Sequence, residues 1–394
     1  MIHNTSLKTI SKFANFLLLF SIIIDPTNAL FGIKDISFIF FVIVSIPYIN
    51  LKYIYVCLIF LCIFFITFAF GLLTKQNLDI QFAIGYLKSF LFLFYVLWMT
   101  DDYLEVFKTF YSITLLMSVI VIFLYFTMSL SPILKSAIYF FLKSKNHVIM
   151  VGQRNFLGFD VFSVYYRTSA TCTISLSIAT YLFFTQKKIK YFLDIVILFL
   201  CLFFSGTRAN MLSGILIISL ISISWLFYKK KSLLISVTIF IVTSIAALSL
   251  IFLLLNQKTE QSIYVKTGHL QSLLQLFTSN PIQYALIGSG PGTIFYTTGG
   301  DFFTSLTELT YLELIKNHGL LFTIVLVIII IYPYFKIIKN SNIEKLLKIS
   351  IGIGFLAYLF IAGTNPLLIG STGFIVIAVM YYISNKNFLK EIIK

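Results

Sequence analysis

Arginine is the scarce cation of this sequence. Of the 29 lysines and arginines, only Arg154, Arg167 and Arg208 are arginine. A guanidinium is planar, permanently charged and presents a fork of N–H donors that matches paired phosphate oxygens, whereas an ammonium is a compact point charge. A chain that spends lysine everywhere else and keeps arginine for three positions points to recognition of a phosphate or pyrophosphate. The competing reading pairs each arginine with a lipid headgroup or a loop carboxylate. Arg208 has the most informative setting, Ser205-Gly206-Thr207-Arg208-Ala209-Asn210, which interrupts an apolar stretch. Gly206 permits a sharp turn. Ser205 and Thr207 can satisfy backbone groups freed at membrane depth, and a charge set so close to hydrocarbon marks a functional position.

A second group of chemically capable residues lies further along. It comprises Lys266-Thr267-Gly268-His269, then Ile287-Gly288-Ser289-Gly290-Pro291-Gly292, then Thr307-Glu308-Leu309-Thr310-Tyr311-Leu312. A histidine such as His269 works as acid or base near neutral pH. Lys266 beside it favours an anion-binding role over a purely structural one. Glu308 precedes an apolar helix, so it is either a partner for that helix's N-terminal dipole or a general base for a hydroxyl. The glycine run lacks the strand–helix frame and the lysine of a nucleotide loop and reads as a tight turn covering the site. Glu313 and Lys316 stand three apart on one helix face and should pair. His318 sits inside the next helix beside Gly319. The four cysteines, Cys57, Cys62, Cys172 and Cys201, form no CxxC pair, which argues against a zinc site or a disulfide framework.

The elements that must position these residues are helices in a membrane. Hydrophobic residues make up 59% of the chain and charged ones 11%, with mean hydropathy +0.98. A soluble domain of this length needs far more charge on its surface. Apolar runs near twenty residues, enough to cross about 30 Å of hydrocarbon, recur from end to end. We expect a single all-α polytopic membrane domain over 1–394, with about twelve helices near 13–30, 36–50, 53–73, 79–100, 107–129, 170–185, 191–204, 209–228, 233–255, 310–335, 349–364 and 368–385. The net charge of +15 punctuates the apolar runs, which suits topology signals and anionic lipid and excludes a nucleic-acid partner. Lysines concentrate at one set of helix ends, including Lys8, Lys12, Lys187, Lys188, Lys190, Lys229, Lys230, Lys231, Lys336 and Lys339. The positive-inside rule then puts both termini in the cytoplasm and all three arginines outside. Two outside segments, 131–169 and 256–309, exceed ordinary connections. Ile133–Leu142 and Leu270–Phe277 within them read as short amphipathic helices along the interface.

In the order and spacing of these motifs the chain resembles the O-antigen polymerase and O-antigen ligase superfamily of bacterial envelope enzymes. The resemblance covers roughly 150–375 and rests on Arg167 before a helix, the Ser205–Asn210 hairpin, Lys266–His269, the 288–292 glycine turn, Thr307–Glu313 leading to Gly319-Leu320-Leu321, and Thr364-Asn365-Pro366. It implies a GT-C-like, metal-independent and cofactor-free glycosyltransferase, multi-pass in the inner membrane, with two sizeable periplasmic loops. It implies polymerisation of polyprenyl-pyrophosphate-linked repeat units into O-antigen or capsular polysaccharide, among membrane lipids and with a chain-length regulator as partner. Glu308-Leu309-Thr310-Tyr311 stands where ligases commonly carry a histidine motif, which favours the polymerase over the ligase to lipid A core. Under this reading Arg208 and Arg167 hold the pyrophosphate with Lys266, His269 and Arg154 in support, Glu308 orients or deprotonates the acceptor hydroxyl, and Tyr311 and Asn210 join Arg154 and Lys266 in binding substrate. The rival class is a flippase of lipid-linked oligosaccharide, which twelve helices and outward cations would also suit.

Overall fold

The structure, a computed structural model, describes residues 2–74, 76–98, 103–145, 148–156, 159–228, 261–341 and 343–384. In chain order the elements are α1 (Ile2–Ile24), α2 (Lys34–Ser45), α3 (Ile54–Leu73), α4 (Ile80–Leu91), α5 (Tyr103–Leu130), α6 (Pro132–Ser144), β1 (Ile149–Phe156), β2 (Phe159–Tyr166), α7 (Cys172–Gln186), α8 (Ile189–Phe204) and α9 (Arg208–Tyr228). After residues 229–260 come α10 (Gln261–Ser279), α11 (Pro281–Leu286), β3 (Phe295–Thr297), β4 (Phe302–Thr304), α12 (Thr310–Lys339), α13 (Lys345–Gly363) and α14 (Ser371–Ile383). Six helical stretches among the described residues are long and apolar enough to cross a membrane: Leu51–Leu73, Ile80–Leu97, Glu105–Leu130, Arg208–Tyr228, Thr310–Lys339 and Lys345–Gly363. The protein is a predominantly helical membrane protein. Every helix expected from the apolar runs is present except 233–255, which lies outside the described residues.

The ends differ where polar side chains intervene. The first helix stops at Ile24 instead of 30, because the Asp25 carboxylate accepts the N–H groups of Ala29, Leu30 and Phe31 at 2.9, 3.1 and 2.8 Å and winds the chain into a turn. The expectation of helix alone also misses two antiparallel hairpins. β1 pairs with β2 from Ile149↔Tyr166 to Phe156↔Phe159, and β3 pairs with β4. The segment Phe159–Tyr166 is rich in aromatic and β-branched residues, which suit a pleated surface better than a helix.

The span expected as one domain is built from two compact units. The first comprises Met1–Phe41, Leu104–Thr259 and Asn340–Ile361. Its centre is α7, in which every residue from Cys172 to Tyr181 is buried. At 15 residues α7 is about 22 Å long, short of a full crossing. Close approach depends on small residues: a methyl on Gly354 of α13 would lie 2.2 Å from Ser177 Oγ. The hairpin is tied to α1, since the Tyr166 hydroxyl and Thr168 Oγ1 donate to the Ile24 and Ile23 carbonyls, which a helix C-terminus leaves without partners.

The second unit comprises Val42–Tyr103, Glu260–Lys339 and Ala362–Lys394. All of α14 is buried, and Phe60, Phe90 and Phe374 pack ring on ring at 4.7 to 5.7 Å. α12 is broken at Gly319, whose φ of 77° and ψ of 163° are not helical. The break frees the carbonyls of Lys316 and Asn317. The N–H groups of Ser289 and Gly290 take them up at 2.8 and 3.1 Å. That contact demands glycine on both sides. A methyl on Gly288 would lie 2.6 Å from Gly319 N, and one on Gly319 would lie 2.5 Å from Ile287 N. Gly288, Gly290 and Gly292 all have positive φ, the left-handed region that side chains disfavour.

We therefore expect Gly319→Ala to destabilise the protein by more than about 1 kcal/mol, from strained φ plus a backbone clash. Gly85→Ala, in open space on α4, should be neutral or stabilising by up to about 1 kcal/mol. Thermal unfolding in detergent measures both, and equal behaviour of the two variants would refute the account of the helix break.

Candidate functional site

The arginine centre belongs to the first unit. α8 ends at Phe204 with Ser205 as its C-cap, the chain reverses at Gly206 with φ 63°, and Arg208 opens α9. Ser205 organises the reversal. Its hydroxyl donates to Leu202 O at 2.6 Å and accepts from the Asn210 amide at 2.9 Å. The same Asn210 amide donates to Ser169 Oγ at 2.9 Å. Ser169 begins a short 3-10 turn two residues after Arg167, and Asn210 follows Arg208 by two. One side chain thus ties the two arginine-bearing segments together. Asn210 is fully buried, so its amide holds the frame, in contrast to the substrate contact expected of it.

Arg208 is placed against the local field. The first residue of a helix sits at the positive end of the macrodipole, where a cation costs a few tenths of a kcal/mol to about 1 kcal/mol. The half-buried guanidinium and the positive end of the α9 dipole lie together, and both favour an anion. The Arg167 backbone is fixed by its N–H on Val148 O at 3.3 Å. Arg154 lies in β1 opposite Val161, and its side chain falls outside the described residues.

The second unit gathers three motifs far apart in sequence. Lys266 Nζ lies 3.4 Å from Glu308 Oε2 and donates to Thr364 O at 3.1 Å. Thr310 Oγ1 donates to Asn365 O at 2.7 Å. The Tyr311 ring lies against Gly363, where a methyl would come within 2.3 Å of Tyr311 Cε2. Beside these contacts lies a cleft of about 320 Å³, with Lys266 and Thr267 at its polar side, Leu270, Leu309 and Leu312 along its apolar wall, and Tyr311 and Gly363 completing it. Lys266 and Glu308 are both part-exposed, so their ion pair is worth little in stability and is free to exchange for other partners. Glu308 stands two residues before the first residue of α12, which suits the dipole reading, and its carboxylate reaches Lys266 at the edge of the cleft.

His269 is elsewhere. It is 4% exposed, and its Nδ1 lies 2.6 Å from Thr297 Oγ1. Burial lowers its pKa, against the opposing pull of Glu308. A ring held neutral in this way clasps α10 to β3, and the anion-binding role expected for it does not suit its position. The glycine run also differs from expectation. Residues 288–293 are buried and pack against the break in α12 instead of covering the cleft. Sequence reasoning found the Glu313–Lys316 pair at that break but missed its full burial in one polar cluster with Asn317 and His318. Glu313, Lys316, Asn317 and His318 are all fully buried. His318 engages Thr67 Oγ1 at 2.9 Å and the Tyr86 hydroxyl at 3.2 Å. The signal for it was present in four polar residues among the six positions 313–318 of an apolar helix.

The depressed pKa of His269 sets a pH dependence. The unfolded histidine gains a proton below about 6.5 while the folded one does not. The stability contribution is therefore complete above that value and is lost as pH falls toward the folded pKa. His269→Gln should flatten the fall in unfolding temperature between pH 7 and pH 5, and identical slopes for the two proteins would rule out the clasp as its source.

Comparison with known proteins brings no match to the chain: no family model, no curated protein and no solved structure corresponds to it.

Proposed function

We propose that the chain is a GT-C-like, metal-independent glycosyltransferase of the bacterial inner membrane, with about twelve spans and both termini in the cytoplasm. In this reading it polymerises polyprenyl-pyrophosphate-linked oligosaccharide repeat units at the periplasmic face. The observation that carries the reading is the tie between the Arg167 and Arg208 segments through Asn210, which holds the two arginine-bearing stretches together with Arg208 as the first residue of α9. Breaking a sugar–pyrophosphate bond leaves a pyrophosphate anion, and preset positive charge is the largest available source of transition-state stabilisation for it. The acceptor hydroxyl attacks the anomeric carbon, the carbon–oxygen bond to pyrophosphate breaks, and the hydroxyl proton goes to a base; each within its own unit, the arginines are the proposed grip on the leaving pyrophosphate and Glu308 the proposed base. Lys266 and Tyr311 orient the acceptor in the cleft. Arg154 adds a third cation on the hairpin. Bilayer lipids surround the helices, and a chain-length regulator is the expected protein partner.

Incubating the purified protein with a lipid-linked repeat unit tests this directly. Products of many repeats support polymerisation. Transport across a vesicle without elongation would indicate a flippase, and transfer to an added lipid A core would indicate a ligase. Arg208→Lys should lower turnover about 100-fold or more, since one point charge cannot reproduce a paired grip on phosphate. Cells carrying it should show a single-repeat glycan on a gel, and a full-length ladder at normal expression would sink the assignment. Glu308→Gln should keep donor binding and lose transfer. Unchanged turnover would leave Glu308 as a dipole partner of α12 alone.

A further inference from the structure

The Glu313–Lys316 pair lies wholly inside the second unit, with both side chains 0% exposed and Nζ 2.8 Å from Oε2. Burying an ion pair gains little stability over apolar residues of the same shape, because desolvation offsets the attraction. Its value must lie in what else the charges hold. Lys316 Nζ donates to the Ser305 carbonyl at 2.7 Å and to the Thr293 carbonyl at 3.3 Å, and lies 4.8 Å from the centre of the Phe295 ring. Glu313 Oε1 accepts the Thr307 N–H at 2.8 Å. Each charge therefore grips the main chain of the irregular stretch between β4 and α12, and the last point gripped is the residue before Glu308.

We infer that Glu313 and Lys316 are positioning residues that hold the Ser305–Thr307 chain so that Glu308 meets Lys266 at the cleft. The inference rests on the proposed role of Glu308 as the acceptor's base, but the placement it describes exists whether or not that role is real. Main-chain groups buried without a partner are costly, and an irregular segment has no neighbour in a helix or sheet to supply one. A lysine and a glutamate one turn apart supply a donor and an acceptor at fixed spacing. Their mutual neutralisation lets both remain charged without water. The pair is thus fastened to α12 and, through Thr293 and Phe295, to the glycine strap of residues 288–293 and to β3. Glu308 projects from the far end of that fastened stretch.

The test is the double variant Glu313→Leu with Lys316→Met, which removes both charges together and leaves no unpaired ion. Cysteines placed at Lys266 and Glu308 report their separation through the rate of disulfide cross-linking, read by mass spectrometry of the linked peptides. With Glu313 and Lys316 intact, the cross-link should form readily. In the double variant it should form at least tenfold more slowly at an unchanged unfolding temperature. In the transfer assay the same double variant, with Lys266 and Glu308 in place, should lower kcat while KM for the lipid-linked acceptor holds. Cross-linking at the original rate in the folded double variant overturns the inference. Should that variant not fold, hydrogen exchange of the unaltered protein decides. The Thr307 amide must exchange at least 100-fold more slowly than an exposed amide, and exchange at the unprotected rate overturns the inference as well. Absence of any transfer by the unaltered protein, with both position readouts as expected, would remove the proposed function and leave the positioning role standing.

Discussion

Every buried backbone group in a membrane protein needs a partner inside the protein, because hydrocarbon offers none. In the second unit that requirement is met at one crossing. α12 breaks at Gly319, and the freed carbonyls of Lys316 and Asn317 are met by the N–H groups of Ser289 and Gly290. Backbone can approach backbone this closely only without side chains, so glycines stand on both sides of the contact. The remaining geometry follows from it. The strap enters at Gly288 and leaves toward β3. β3 places Thr297 against His269, and β3 with β4 returns the chain to the start of α12. The cleft beside Lys266 is bounded by the same helix whose interruption the strap repairs.

The first unit solves a related problem differently. Its turn between α8 and α9 is built on buried side chains: the Ser205 hydroxyl partners the Leu202 carbonyl and the Thr207 N–H, and Asn210 holds that hydroxyl in place. Because Asn210 also reaches Ser169, the satisfaction of local groups and the joining of the two arginine segments are one act. A cation at a helix N-terminus is an electrostatic liability unless an anion comes to it. Asn210 therefore matters through what it fixes, and Arg208 through what it faces.

Much of this was legible in the residues, and what was not has physical reasons. Apolar length revealed the helices, because burial in hydrocarbon is a property of composition. Their ends depend on single polar side chains such as Asp25, which act through three-dimensional contacts. The Glu313–Lys316 pair followed from i,i+3 spacing, a local relation. The hairpins did not follow, since Phe159–Tyr166 is apolar on both faces and lacks the alternation that announces a half-buried strand. His269 was misjudged because the group that decides its role, Thr297, is 28 residues away. The glycine run was recognisable as a turn, but its burial against Gly319 depends on a tertiary crossing. The division into two units cuts the chain into six segments, and no linker composition marks such a boundary.

Two ion pairs in the second unit carry opposite energetics, and the contrast separates framework from chemistry. Lys266 and Glu308 are part-exposed at 33% and 47%, with 3.4 Å between charged atoms. Water screens such a pair, and each member can leave it at little cost. Glu313 and Lys316 are sealed at 2.8 Å, where loss of either partner strands a charge. A group that must accept a proton or greet an incoming phosphate has to be released from its resting partner, which only the exposed pair allows. A group that must hold backbone in place has to be unable to leave, which only the buried pair ensures. The two are joined by the few residues from Ser305 to Glu308, so the immobile pair sets where the exchangeable one works.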